Sequence, residues 1–127
     1  MRLVPSKGYM YLASPYSHPD PFVREYRYLR AMQAMSRLLK EGIHVYAPIV
    51  HCHELAKVVD MPRTADFWRD YNFTMLRCAE SLGVLMMDGW KESKGMAEEI
   101  EEATSCNILI NYLEEDNGKE TIRVAGS

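Results

Sequence analysis

Apolar positions change period several times along the chain, and each change marks a new element. Residues 9 to 13 (Tyr-Met-Tyr-Leu-Ala) form a short apolar and aromatic run closed by Ser14-Pro15, and the following Ser17-His18-Pro19-Asp20 reads as a loop. This is the first predicted strand. Next, Phe22, Tyr26, Leu29, Met32, Met35, Leu38 and Leu39 recur at steps of three and four, which predicts a long amphipathic helix facing the core through those side chains. Asp20 is placed to cap it, Pro21 to occupy its first position and Gly42 to stop it.

Residues 43 to 50 (Ile-His-Val-Tyr-Ala-Pro-Ile-Val) read as a second strand whose length is limited by Pro48, with a loop or short helix after it. Residues 64 to 80 carry Phe67, Tyr71, Met75 and Cys78 at helical spacing, and residues 82 to 87 form a strand too apolar to have a wet face. Gly89 and Trp90 end it. A helix over 94 to 104 and a strand over 107 to 113 follow, then a polar turn at 114 to 118 and a small edge strand over 121 to 124. Strands alternating with helices imply β-α-β units. The predicted fold class is therefore α/β: a three-layer sandwich with a central parallel sheet of four to five strands, flavodoxin/Rossmann-like, as one domain over residues 1–127. Ligands in such sheets bind at the carboxyl ends of the strands, near the point where strand order reverses. The loops that start at Ser14, Pro48 and Asp88 are the ones in question. Ala125-Gly126-Ser127 reads partly as a vector-derived tail.

Composition narrows the function classes. The 127 residues are 47% hydrophobic and 26% charged, as in an ordinary globular domain. Fifteen basic and 18 acidic residues leave a net charge of -3, which argues against a nucleic-acid polymer or a polybasic membrane patch as partner. Cys52, Cys78 and Cys106 are odd in number and form no C-x-x-C pair, so all three are expected as buried, reduced thiols in a cytoplasmic protein. No apolar run has the length of a membrane span or the pattern of a signal peptide.

The most informative stretch is Asp88-Gly89-Trp90-Lys91-Glu92-Ser93-Lys94-Gly95-Met96-Ala97-Glu98-Glu99, a strand end, a turn with two glycines and then a helix. Four glutamates crowd that helix, and most such residues form a solvated face. Helical geometry separates them. With Met96, Ile100 and Ala103 as the buried stripe, Glu99 lies roughly 70° from its centre, while Glu98, Glu101 and Glu102 lie about 125° or more away. A carboxylate at the margin of a buried face is costly without a hydrogen-bond partner or a task. Asp88 is its obvious companion, and paired carboxylates suit reactions at an acetal-like carbon, one attacking and the other assisting departure or holding the sugar. Ser93 is a natural helix cap. Trp90 reads equally as a base-stacking or a helix-packing residue. His51-Cys52-His53 falls on a predicted extended segment that would point its residues to opposite sides, so no metal is expected there. Arg24, Arg27 and Arg30 read as a solvated helix face from which one could reach a phosphate, and His18 as a loop residue.

Met10-Tyr11-Leu12-Ala13-Ser14-Pro15, then Asp88-Gly89-Trp90 and Ser93-x-Gly95-x-x-x-Glu99-x-x-x-Ala103, together resemble the nucleoside 2-deoxyribosyltransferase superfamily. The likeness spans most of residues 9 to 113 and is greatest to a small branch with a Gly-Trp-x-x-Ser-x-Gly element. The resemblance implies that Glu99 is the nucleophile, that Tyr11 orients it, and that Asp88 lies near the family's sugar-binding acid. The further family aspartate aligns with Asp70 or with Asn72. Ser93 matches the serine that contacts a 5'-phosphate in the monophosphate glycosidases of the superfamily, and a glycine-bearing helix N-terminus is a good phosphate cradle in any case. Ser14, Ser17 and Gly95 join Ser93 toward the 5' end. At Pro15 the chain departs from the phosphate-specific relatives, which have another hydroxyl there.

The expected function is therefore cleavage or transfer at the N-glycosidic bond of a (2'-deoxy)nucleoside or nucleoside 5'-monophosphate, through a covalent glycosyl-Glu99 intermediate and without a cofactor. The partner expected is a small nucleoside or nucleotide, and by resemblance a second copy of the chain in a homo-oligomer. Two rivals are a non-catalytic nucleotide-binding or sensing domain and a phospho-accepting regulatory domain with Asp88 as acceptor. The second lacks the acidic pair at the end of the first strand that would hold its metal.

Overall fold

In the computed structural model, residues 7–58, 61–62, 65–115 and 122–125 are described. Strands β1 (Met10–Ala13), β2 (Val45–Tyr46), β3 (Ser81–Leu85), β4 (Leu109–Glu115) and β5 (Ile122–Val124) form one sheet in the order β2-β1-β3-β4-β5. Only β5 runs antiparallel. Helices α1 (Pro21–Lys40), α2 (Pro48–Val58), α3 (Ala65–Arg77) and α4 (Lys94–Ser105) complete the α/β architecture.

Register explains the layers. Met10 pairs with Ser81 and Tyr11 with Leu82, so neighbouring strands present matching faces. Met10, Leu12, Leu85 and Leu113 pack with Ala34 and Leu38 of α1. On the other face, Tyr11, Ala13, Leu82 and Val84 pack with Leu76 of α3 and Met96 and Ala103 of α4. A Cβ on Gly83 would stand 2.6 Å from Met10 Sδ and 3.0 Å from Leu113 Cδ1. The missing side chain lets those two meet across β3.

Helix α1 begins as expected, with the Asp20 carboxylate accepting from the Phe22 amide at 2.9 Å and Pro21 in the first turn. It ends at Gly42, whose φ of 88° suits glycine. Its buried face, however, is Ala31, Ala34 and Leu38, while Phe22, Tyr26, Leu29, Met32 and Leu39 are exposed. The size of the apolar side chains misdirected the expectation, because small alanines are what allow the helix close to the sheet. In α3 as well the large residues expected inside, Phe67 and Tyr71, are exposed, and Leu76 is the buried position.

Three further expectations change. The second strand keeps only two residues, because Pro48 starts α2 rather than trimming a strand. Among the cysteines only Cys52 is buried, Cys78 and Cys106 being exposed at or beyond helix ends. Strand β4 runs on through Glu114 and Glu115, the start of the expected polar turn, because Arg30 and Arg37 of α1 both pair with Glu115. Residues 116 to 118, Thr121 and the terminal Gly126-Ser127 lie outside the described residues. No helix among the described residues is long and apolar enough to cross a membrane.

Candidate active site

Strand order reverses between β1 and β3, so the chain leaves these neighbours in opposite directions and opens a crevice at their carboxyl ends. A cavity of about 430 Å³ lies there, walled by the β1–α1 loop, α2, α3 and the start of α4. Its size suits a small organic ligand.

Glu99 lines this cavity and is 8% exposed. It shares the inner face of α4 with Met96 and Ala103, three residues after one and four before the other. Behind it the Tyr11 hydroxyl, on a fully buried side chain, donates to Glu99 Oε2. Loss of water raises the Glu99 pKa to about 7; the Tyr11 hydrogen bond opposes the rise and the negative charge of Glu98 adds to it. Burial, then the adjacent carboxylate, push the Tyr11 phenol strongly up, so it remains a donor. A carboxylate half-ionised near neutrality, oriented from behind and open to a cavity in front, is equipped to act as a nucleophile or base.

Other polar groups converge on the same space. Ser14 Oγ and Asn72 Oδ1 are buried without a hydrogen-bond partner, and both residues line the cavity. Buried polar atoms in that state invite a ligand. Arg69 Nη2 donates to Glu98 Oε2 at 2.6 Å, and Arg77 Nε to Glu102 Oε2 at 2.6 Å. These pairs tie α3 to α4 and neutralise two of the four glutamates.

Ser93 caps α4, its Oγ accepting from the Met96 amide at 3.2 Å. Lys94 and Gly95 line the cavity with it, and the positive end of the helix dipole there favours an anion. Ser17 also lines the cavity.

Three expected site residues are placed elsewhere. Asp88 is exposed and absent from the cavity wall, on a turn where a Cβ at Gly89 would meet Arg27 Nη2 at 2.5 Å. Trp90 packs on Tyr112 of β4 at 6.0 Å, with Lys91 Nζ 5.7 Å above its ring. Asp70 is exposed and turned from the cavity, whereas Asn72, two residues on and some 200° around α3, lines it. The arginines of α1 are occupied as well: Arg24 donates to His18 O at 2.6 Å, Arg27 to Ser17 O at 3.1 Å, and Arg30 to Glu115.

Sequence reasoning overlooked the wall made by α2. Because Pro48 opens a helix, Ile49, Cys52, His53 and Ala56 fall at steps of three, one and three on one face, and all four line the cavity. Burial pushes the Cys52 thiol up to about 11. Tyr16 Oη lies 2.6 Å from His53 Nδ1, and His53 Nε2 lies 3.1 Å from Glu25 Oε1. Proline at a first helical position, followed by that periodicity, was the available signal. Among the described residues no three His, Cys, Asp or Glu side chains are grouped to hold a metal.

Comparison with known proteins adds a family and a fold. The model of the family described as "Domain of unknown function (DUF1937)" matches residues 8–114. No curated protein matches the chain. Among solved structures, the 2-desoxiribosyltransferase from Leishmania mexicana matches at 19% sequence identity with a TM-score of 0.51, over 86% of this chain and 65% of that one. At that identity the likeness is one of fold, and the chain spans just under two thirds of the neighbour's length.

Proposed function

The chain belongs to the DUF1937 family, and we propose that it cleaves or transfers the N-glycosidic bond of a 2'-deoxynucleoside or its 5'-monophosphate through a glycosyl-Glu99 intermediate. One observation carries this reading: a buried carboxyl group, held by Tyr11 and opening on a nucleoside-sized cavity. The fold shared with a protein named as a deoxyribosyltransferase supports it.

In this reading Glu99 attacks C1' as a carboxylate, the base departs, and water or a second base releases the sugar by attack at the same carbon. Tyr11 fixes the attacking oxygen and stabilises its ionised form. The apolar face of α2 with Phe73 and Trp68 receives the flat base, and Ser14 and Asn72 offer it or the sugar their unused hydrogen-bonding atoms. Ser93, Gly95 and the first-turn amides of α4 face the 5' end and favour a monophosphate. Asp88, Asp70 and Trp90 have no part in it.

The test is a panel of 2'-deoxynucleosides and their 5'-monophosphates, incubated with the protein and followed by chromatography for free base. Wild type should release base. Glu99→Ala should lose several kcal/mol of transition-state stabilisation, on the order of 10³-fold or more in rate, while Glu101→Ala, on the exposed face, should not. Ligand binding without base release from any member would instead identify a nucleotide-binding domain.

A further inference from the structure

Tyr16, His53 and Glu25 come from the β1–α1 loop, α2 and α1, yet their side chains form a continuous hydrogen-bonded line. Tyr16 and His53 are 9% and 5% exposed and both reach the cavity. Glu25 stands behind them with its side chain 46% exposed. A carboxylate can only accept, so His53 Nε2 carries the hydrogen that points at Glu25. That leaves Nδ1 to accept from Tyr16 when the ring is neutral, or to donate to it when the ring is charged. Tyr28 stacked on the imidazole at 4.1 Å and 18° holds the ring plane. His53 also shares its helix face with Ile49, Cys52 and Ala56, the apolar wall offered to the base. The line therefore ends in the cavity beside the α2 wall offered to the base.

Resting on the glycosyl-transfer reading, we infer that Tyr16 is the proton donor to the departing base, supplied by His53 and aligned by Glu25. In the first step a Glu99 oxygen forms a bond to C1' and the C1'–N bond breaks, its electron pair staying on the base. The Tyr16 hydroxyl proton passes to the base, and the Nδ1 proton of the imidazolium passes to Tyr16 Oη. In the second step water, or the N–H of an incoming base, attacks C1' and the C1'–Glu99 bond breaks. The released proton returns through Tyr16 to His53 Nδ1, which restores the starting state. One relay thus acts as acid and then as base. Tyr16 touches the reacting group and is a catalytic residue, whereas His53 and Glu25 act through it.

The experiment compares kcat/KM for two matched pairs: 2'-deoxyguanosine against N7-methyl-2'-deoxyguanosine, and 2'-deoxyuridine against 4-nitrophenyl 2-deoxyriboside. The second member of each pair has a leaving group that departs without a proton. Tyr16→Phe should lose about 10²–10⁴-fold on the ordinary nucleoside and far less on its partner. His53→Gln should show the same selective loss, and Glu25→Gln a smaller one of the same kind. Retained turnover of the proton-independent donor also reports an intact fold. Equal losses on both members of a pair, or no loss on either, would overturn the relay while leaving the glycosyl-transfer reading in place. No turnover of any of the four substrates or of their 5'-monophosphates by wild type would overturn both.

Discussion

Replacing Tyr11 with phenylalanine removes one oxygen atom from the back of the site and leaves the ring between β1 and α4. The hydroxyl donates to Glu99 Oε2 inside the protein, away from water. A hydrogen bond to a charged acceptor in such a place is worth about 1.5–3 kcal/mol, which corresponds to about one to two pKa units. The bond favours the ionised carboxyl, and it opposes the desolvation that has already raised Glu99 to about 7. Tyr11→Phe should therefore move the Glu99 midpoint upward to between about 8 and 9. The assay is carbon-13 NMR of the glutamate side-chain carboxyls across pH, with Glu99→Gln identifying the resonance. The acid limb of the activity profile, where activity rises as the nucleophile ionises, should move up by the same interval. A Glu99 midpoint near 4.3, the ordinary glutamate value, in wild type and variant alike would refute the reasoning. So would a downward shift in the variant.

Stability should carry the same signature. Burial raises the folded-state pKa of Glu99 to about 7, above the ordinary glutamate value of about 4.3, so its contribution is fully present below the lower value and is lost as pH rises through the upper one. Glu99→Gln, which cannot ionise but can still accept from Tyr11, should be the more stable form at pH 8 by up to about 3 kcal/mol, with the difference vanishing near pH 4; urea melts that run parallel at both pH values would contradict this. Ser93→Ala should cost about 1 kcal/mol through the lost helix cap and should reduce the preference in kcat/KM for a 5'-monophosphate over its nucleoside. An unchanged preference would return Ser93 to capping alone. Glu115→Ala leaves Arg30 and Arg37 facing each other beside the end of β4, and a loss of about 1–3 kcal/mol is expected; a urea midpoint unmoved within error would make that pair of bridges unimportant.

Much of the scaffold could be read from local signals that have a steric cause. Asp20, Pro21 and Gly42 bound α1 because each satisfies a requirement of a helix end, and the wholly apolar run before Asp88 could only be a strand covered on both faces. Glu99 stood out from its three neighbours because 100° per residue leaves one glutamate beside the inner stripe. What could not be read depends on distance between elements. The large side chains of α1 suggest its buried face, yet the buried positions are Ala31, Ala34 and Leu38, of which Ala34 and Leu38 pack against the sheet. Asp88 was paired with Glu99 from its place at a strand end, but the chain turns after β3 and carries it to the surface. The extended segment expected at His51-Cys52-His53 gives these residues only a metal reading, which fails there; once Pro48 is the first residue of a helix, Cys52 and His53 both face the cavity. Asn72 against Asp70 is a choice of phase along α3, decided by where that helix meets its neighbours.

A covalent bond between Glu99 and a sugar is the central step of the proposed reaction. The direct measurement is mass spectrometry of the intact protein and its peptides after incubation with 2'-deoxy-2'-fluoroarabino nucleosides, whose fluorine slows release of the glycosyl group more than its capture. Wild type should gain one fluorinated pentosyl group, located on Glu99, together with one equivalent of free base, and Glu99→Gln should gain none. Catalytic release of base with no trapped sugar, or with the sugar on another residue, would contradict the assignment of Glu99 as the nucleophile.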